Sequence, residues 1–178
     1  MNQVKRRQLL KLIHWTMFPL VVWFLLVGPP EAMAMGSFGF AIHSNLALIF
    51  VTLCLLWTGD FMRNGLATMR TPKLPNWAQR LHWWMHRLII WGLFFVALTG
   101  FLLGLTSSRL LKAGGFLPIA PPLGLPELNT LVGKIHTIEF YGLAALIVVH
   151  ATFHLWRHLY LKDNALRIMT PRFMHRFL

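Results

Sequence analysis

Charged side chains are scarce in this chain: they make up 12% of its 178 residues, and only five are acidic. Cysteine is scarcer still, with a single residue, Cys54. A single thiol excludes an intrachain disulfide, a cysteine-ligated iron–sulfur cluster and a thiol pair, so Cys54, inside an apolar run, reads as a small packing residue. Internal repeats at a fixed period and low-complexity tracts are also missing. What is present is hydrophobicity: 56% of the residues are apolar, gathered into long runs that identify an integral membrane protein.

The spacing predicts four spans, at roughly 10–28, 39–60, 81–105 and 131–161, each able to cross a bilayer with about 20 residues. The expected fold class is therefore all-α, a four-helix transmembrane bundle formed by one domain, 1–178. The last span exceeds the crossing length and is expected to project into the cytoplasm. Lys5, Arg6, Arg7 and Lys11 precede the first span; Arg63, Arg70, Lys73 and Arg80 lie between the second and third; Arg157, Lys162, Arg167, Arg172 and Arg176 close the chain. By the positive-inside rule both termini face the cytoplasm. Topology thus accounts for the net charge of +12, and nucleic acid is not an expected partner. The basic start and the Ala32-Met33-Ala34 triplet imitate a signal peptide, but the apolar stretch is longer than a signal core and holds His14 and Pro19, so the first span is expected to be retained.

The connections differ in character. Gly28-Pro29-Pro30 through Gly39 reads as a short outer loop. Thr71-Pro72-Lys73-Leu74-Pro75-Asn76 reads as a cytoplasmic link whose prolines oppose continuous helix. From Thr106 to Thr130 the chain is apolar yet rich in glycine and proline, which predicts an irregular segment at the outer interface, either covering a site or resting among the headgroups. The eight tryptophans have interfacial anchoring as their default role.

Four histidines inside the apolar segments carry the chemistry. His136 and His150 are fourteen residues apart in one uninterrupted run, so on a helix they share a face at about 21 Å along the axis. Ionisable groups in hydrocarbon are costly and usually functional. Depth pairs His43 with His136 toward the outside and His14 with His150 toward the cytoplasm. Each pair suits the two axial positions of a haem, and helical bundles build such cofactors in their interior. Ligands split between two depths cannot converge on one tetrahedral zinc. Iron with both axial positions filled leaves no place for dioxygen, which points to electron transfer. Each ligand's second ring nitrogen is expected to meet a carbonyl, hydroxyl or water.

His82, His86, His154 and His158 ring the inner pair. They read either as a quinone pocket, with His86 and His158 the candidate quinone-binding residues and a proton relay from the cytoplasm, or as solvated groups among Arg80, Arg87 and Arg157. His86 or His154 could also replace an inner haem ligand. His175 is expected to be solvated.

The start Leu12-Ile13-His14-Trp15, the histidine opening the second span, the His136 to His150 interval and the tail Lys162-Asp163-Asn164-Ala165-Leu166-Arg167-Ile168-Met169 resemble the prokaryotic cytochrome b561 family over essentially the whole chain. The histidine pattern is shared with cytochrome b subunits of membrane hydrogenases, formate dehydrogenases and thiosulfate reductases, whereas the short length and the tail are closer to the stand-alone branch. The resemblance implies two haems b, the outer on His43 and His136 and the inner on His14 and His150, in the bacterial inner membrane. It also implies a superoxide oxidase-like activity, taking electrons from periplasmic superoxide to ubiquinone. Arg109, Lys112 and Lys134 are the outer basic residues that could steer the anion, against a default role as snorkelling interfacial charges. The extra His154 and the tryptophans Trp83, Trp84 and Trp91 depart from that branch. The alternative is a cytochrome b anchor subunit that joins a partner dehydrogenase or reductase to the quinone pool.

Overall fold

A computed structural model describes residues 3–67, 73–163, 166–167, 170 and 175–176. Arg70, Thr71, Pro72 and Arg172, and Asn164, Ala165, Ile168 and Met169 of the tail motif, lie outside the described residues. The elements run α1 (Gln3–Leu26), α2 (Pro29–Ala34), α3 (Gly36–Asn64), α4 (Asn76–Thr106), β1 (Leu111–Ala113), β2 (Leu117–Ala120) and α5 (Pro126–Tyr160). Helices α1, α3, α4 and α5 are each long and apolar enough to cross a membrane. They run up, down, up, down. Arg6 at the start of α1 meets Asp60 near the end of α3, and Trp77 at the start of α4 stacks on Trp156 near the end of α5, with ring centroids 5.7 Å apart. The architecture is thus a four-helix membrane bundle.

All four helices begin before the predicted spans, and α3 and α4 also end beyond them, because helical propensity continues past the hydrocarbon, while α1 and α5 stop at Leu26 and Tyr160. The basic segment from Val4 to Lys11 is already helical in α1, and Pro19 is accommodated within it. At 35 residues, α5 is about 52 Å long, longer than a bilayer crossing needs, and the added length is at its N-terminal end, from Pro126.

Two connections carry more structure than their composition suggested. The first holds α2, started by Pro29 and Pro30 at the first helical positions, where a missing N–H costs nothing. The third is not irregular throughout: β1 and β2 pair antiparallel, with Lys112 opposite Pro118 and a bulge beside Leu111. Gly114 and Gly115 turn the hairpin at φ +64° and +83°, the left-handed region that glycine tolerates. The hairpin is tied to α3, where Gly114 N donates to Asn45 Oδ1 at 2.7 Å. Asn129 Nδ2 donates to Leu103 O at 2.8 Å, fastening α5 to the end of α4.

The opposite end holds most of the cations and is closed by two ion pairs. Arg6 Nε and Nη2 donate to Asp60 at 3.0 and 2.8 Å, and Nη2 donates to Gly65 O at 2.6 Å. Arg157 Nε and Nη2 donate to Asp163 Oδ2 at 2.9 and 2.6 Å, with both side chains buried. Lys162, at φ +47°, turns the chain so that Asp163 faces back toward the helix. Lys11 Nζ donates to Thr170 O at 2.9 Å, bringing the tail against α1. His175, expected in solvent, is half-buried and lies 3.2 Å from Thr170 O.

The larger apolar cluster is a slab midway along the bundle, and a smaller one of Leu74, Ala78, Met85 and Phe153 lies at the basic end. Ile13, Met17 and Leu20 of α1, Phe50 and Cys54 of α3, Leu93, Val96 and Ala97 of α4, and Leu143 of α5 form the slab. Cys54 is fully buried there, as a packing residue should be. Large apolar side chains such as Leu12, Phe18, Leu56, Leu88, Ile138 and Val148 point outward, the arrangement a lipid solvent demands.

Candidate functional site

The histidines lie on either side of the slab. Leu143 is seven residues from both His136 and His150, so the packed layer crosses α5 halfway between them. This divides the bundle interior into a level at the hairpin end and a level at the basic end.

At the hairpin end, His43 of α3 and His136 of α5 are both half-buried. The Phe24 ring of α1 sits edge-on to His43, with centroids 5.1 Å apart. His136 is held from α4: Thr99 Oγ1 lies 3.0 Å from its Nδ1 and donates to Glu139 Oε2 at 2.7 Å. The hydroxyl expected beside a second ring nitrogen is therefore present at His136. Gly100 lies next to the same imidazole, and a Cβ there would stand 3.0 Å from His136 Cε1. Only hydrogen on Gly100 leaves the ring its place.

At the basic end, His14 lies within charge-interaction range of His86 and His150, and its ring is 6.0 Å from that of Trp57. The structure gathers more imidazoles here than the pair itself. His86 is 4.8 Å from His150 and 4.2 Å from His82 by ring centroid, and His154 is 4.5 Å from His150. His86 Nδ1 rests 2.8 Å from His82 O. The ligand nitrogens of His82, His86 and His154 lie within 4.8 Å of one another. His158 is half-buried one turn beyond His154.

Unsatisfied buried polar atoms fall into the same two levels. Trp23 Nε1 and His43 Nδ1 are at the hairpin end; Thr58 Oγ1, Arg87 Nε, His150 Nδ1 and His154 Nε2 are at the basic end. Leaving such a group without a partner costs about 1–3 kcal/mol. Several of them belong to the imidazoles themselves or lie on the helices that carry them, as expected of polar groups that a bound cofactor would meet. Imidazole pairs on facing helices, with small or apolar neighbours, suit haem iron and its macrocycle.

The family model for prokaryotic cytochrome b561 matches residues 6–172, nearly the whole chain. The chain belongs to the prokaryotic cytochrome b561 family. A comparison with curated proteins finds no significant match. As a cytochrome b561 it is a multi-pass bacterial membrane protein that binds haem b and transfers electrons.

The basic residues at the hairpin end of this cytochrome b561 are dispersed. The Arg109 guanidinium lies over the Phe40 ring, 4.9 Å from its centroid, and lines a cavity of about 270 Å³ with Met33, Gly36, Ser37 and Phe40. That places Arg109 one turn of α3 beyond His43. Lys112 is exposed on β1, and Lys134 is exposed on α5, two residues before His136. The structure brings Arg109 toward the hairpin-end level without grouping the three cations.

Sequence reasoning passed over Thr99, Gly100 and Glu139. Glu139 had a legible signal, as a lone carboxylate in an apolar run three residues after His136, on the same helical face. Thr99 and Gly100 had none, since their partner lies on another helix.

Proposed function

We propose that the protein, acting as one domain over residues 1–178, carries two haems b and oxidises superoxide at the hairpin end while reducing ubiquinone at the basic end. It does so in the bacterial inner membrane with both termini in the cytoplasm. The observation that carries this reading is the pair of histidine levels separated by the apolar slab. His43 and His136 would hold the outer haem, and His14 and His150 the inner. Bound haem b supplies one-electron redox chemistry. His136 is positioned for its part: with Nδ1 turned to Thr99, its Nε2 is the nitrogen free for a metal.

The basic end supports the quinone assignment. Reduction of a quinone takes two electrons and two protons, so that site needs hydrogen-bond donors and a proton route. His82, His86 and His154 provide clustered imidazoles, and His158 continues them along α5 toward the end of the helix. His86 and His158 would bind the quinone oxygen and pass protons inward. At the other end, superoxide gives up one electron to become dioxygen. Arg109 beside the cavity would attract the anion, with Lys112 and Lys134 adding to the local positive field. The many outward apolar side chains supply the lipid contact.

The deciding experiment is a reduced-minus-oxidised spectrum of the detergent-purified protein, with haem quantified per chain and superoxide supplied as reductant. Two haems b reduced by superoxide, and reoxidised by ubiquinone, are expected. Two haems that superoxide leaves oxidised, with a dehydrogenase or reductase co-eluting in fixed ratio, would replace this reading with the anchor-subunit one.

A further inference from the structure

The chain has five carboxylate side chains, and four have ordinary positions. Asp60 is paired with Arg6 and Asp163 with Arg157; Glu31 and Glu127 are exposed in the first turns of α2 and α5. Glu139 is different. It sits well inside the crossing helix α5, half-buried, and among the described residues no ion pair reaches it. Its hydrogen bond comes from the Thr99 hydroxyl at 2.7 Å. A carboxylate kept at membrane depth without a cation is expensive and needs a reason.

The reason lies on the other side of Thr99. That hydroxyl carries one proton and has Glu139 Oε2 at 2.7 Å, Phe95 O at 2.9 Å, Val96 O at 3.3 Å and His136 Nδ1 at 3.0 Å. Glu139 Oε2 is the nearest of these acceptors and takes the proton. The lone pairs of Oγ1 are then left to face the imidazole, so Nδ1 must be the protonated nitrogen. The chain of bonds runs from His136 Nδ1–H to Thr99 Oγ1, and from Thr99 O–H to Glu139. It selects one tautomer and makes the imidazole a stronger electron donor at Nε2. At the partner histidine, His43, Nδ1 is without a hydrogen bond.

We propose that Glu139, acting through Thr99, is a positioning residue that fixes the His136 tautomer and holds the outer haem at a low potential. The proposal rests on His136 being an outer-haem ligand. Stronger donation at Nε2, and a nearby anion, both favour ferric over ferrous iron. An electron arriving at the outer level is thereby encouraged to move inward.

The test is a spectroelectrochemical titration of haem-loaded protein, wild type against Glu139→Gln and Thr99→Val, with Thr99→Ser as the conservative variant. Glu139→Gln and Thr99→Val should raise the outer haem's midpoint by ~59 mV or more, a tenfold gain in its reduced fraction at fixed potential for a one-electron couple. The inner midpoint should stay in place, and Thr99→Ser should keep the wild-type value. A role confined to packing would lower haem content or stability without moving one midpoint alone. Thr99→Val carries the test if Glu139→Gln does not assemble. His136→Ala separates the two layers of the argument. If it loses the outer haem while the Glu139 and Thr99 variants keep the wild-type midpoint, this proposal falls alone; if it retains both haems, the ligand assignment falls and this proposal with it.

Discussion

At the scale of single residues, the site depends as much on what is small as on what is basic. Gly100 has no φ that demands glycine; it is there because a side chain would press on His136. Gly100→Val adds bulk where the first carbon already stands at 3.0 Å, and overpacking of this kind costs about 1–3 kcal/mol. The expected outcome is a fall from two haems toward one per chain in a pyridine haemochrome assay, with the inner haem's spectrum retained. Unchanged haem content would mean that the imidazole can move aside freely. The histidines themselves were legible from their depth in the apolar runs. The groups that orient them were not, because Thr99 and Gly100 act across a helix interface that has no counterpart in linear spacing.

At the scale of elements, α5 is the organising piece. It carries His136, Leu143 and His150 at successive sevens along one face, and its far end is locked by Arg157 and Asp163. That pair gives a physical role to the Lys162-Asp163 portion of the tail motif. Asp163→Ala removes the carboxylate from a buried ion pair, and breaking such a pair costs about 3–5 kcal/mol. Thermal unfolding in detergent should therefore begin lower by roughly 6 °C or more. The hairpin makes the complementary case. Gly-Gly between two short runs is a turn signal, but Pro118 and the surrounding prolines argue against strand; a two-stranded ribbon has only edges, so Pro118 is tolerated. Its anchor is Asn45. Asn45→Leu should release it at a cost of about 1 kcal/mol, a roughly fivefold change in opening, seen as faster amide exchange over 111–120.

At the scale of the whole molecule, charge is sorted by end. Arg6, Arg7, Arg63, Arg80 and Arg157 gather where the chain begins and finishes, and Arg109, Lys112 and Lys134 belong to the hairpin half. If those three cations steer superoxide, its reduction of the haem should slow several-fold as salt rises from 10 mM to 500 mM, because the screening length shrinks from about 30 Å to under 8 Å. Stopped-flow measurement at fixed superoxide decides this, and a salt-independent rate would remove the role. Labelling of single cysteines placed at either terminus, in intact cells against inverted vesicles, would settle the proposed orientation in the same preparation.

Composition, span length and histidine spacing by themselves determined that this is a four-helix membrane protein with histidines at two depths. Those properties follow from periodicity and from the cost of polar groups in hydrocarbon, and both can be read along one helix at a time. Tertiary structure alone decided that an apolar slab separates the levels, that a hairpin lies against α3, and that Glu139 reaches His136 through Thr99. These are contacts between helices, set by their rotation and register. Nothing in a linear pattern of apolar and polar residues specifies which faces will meet.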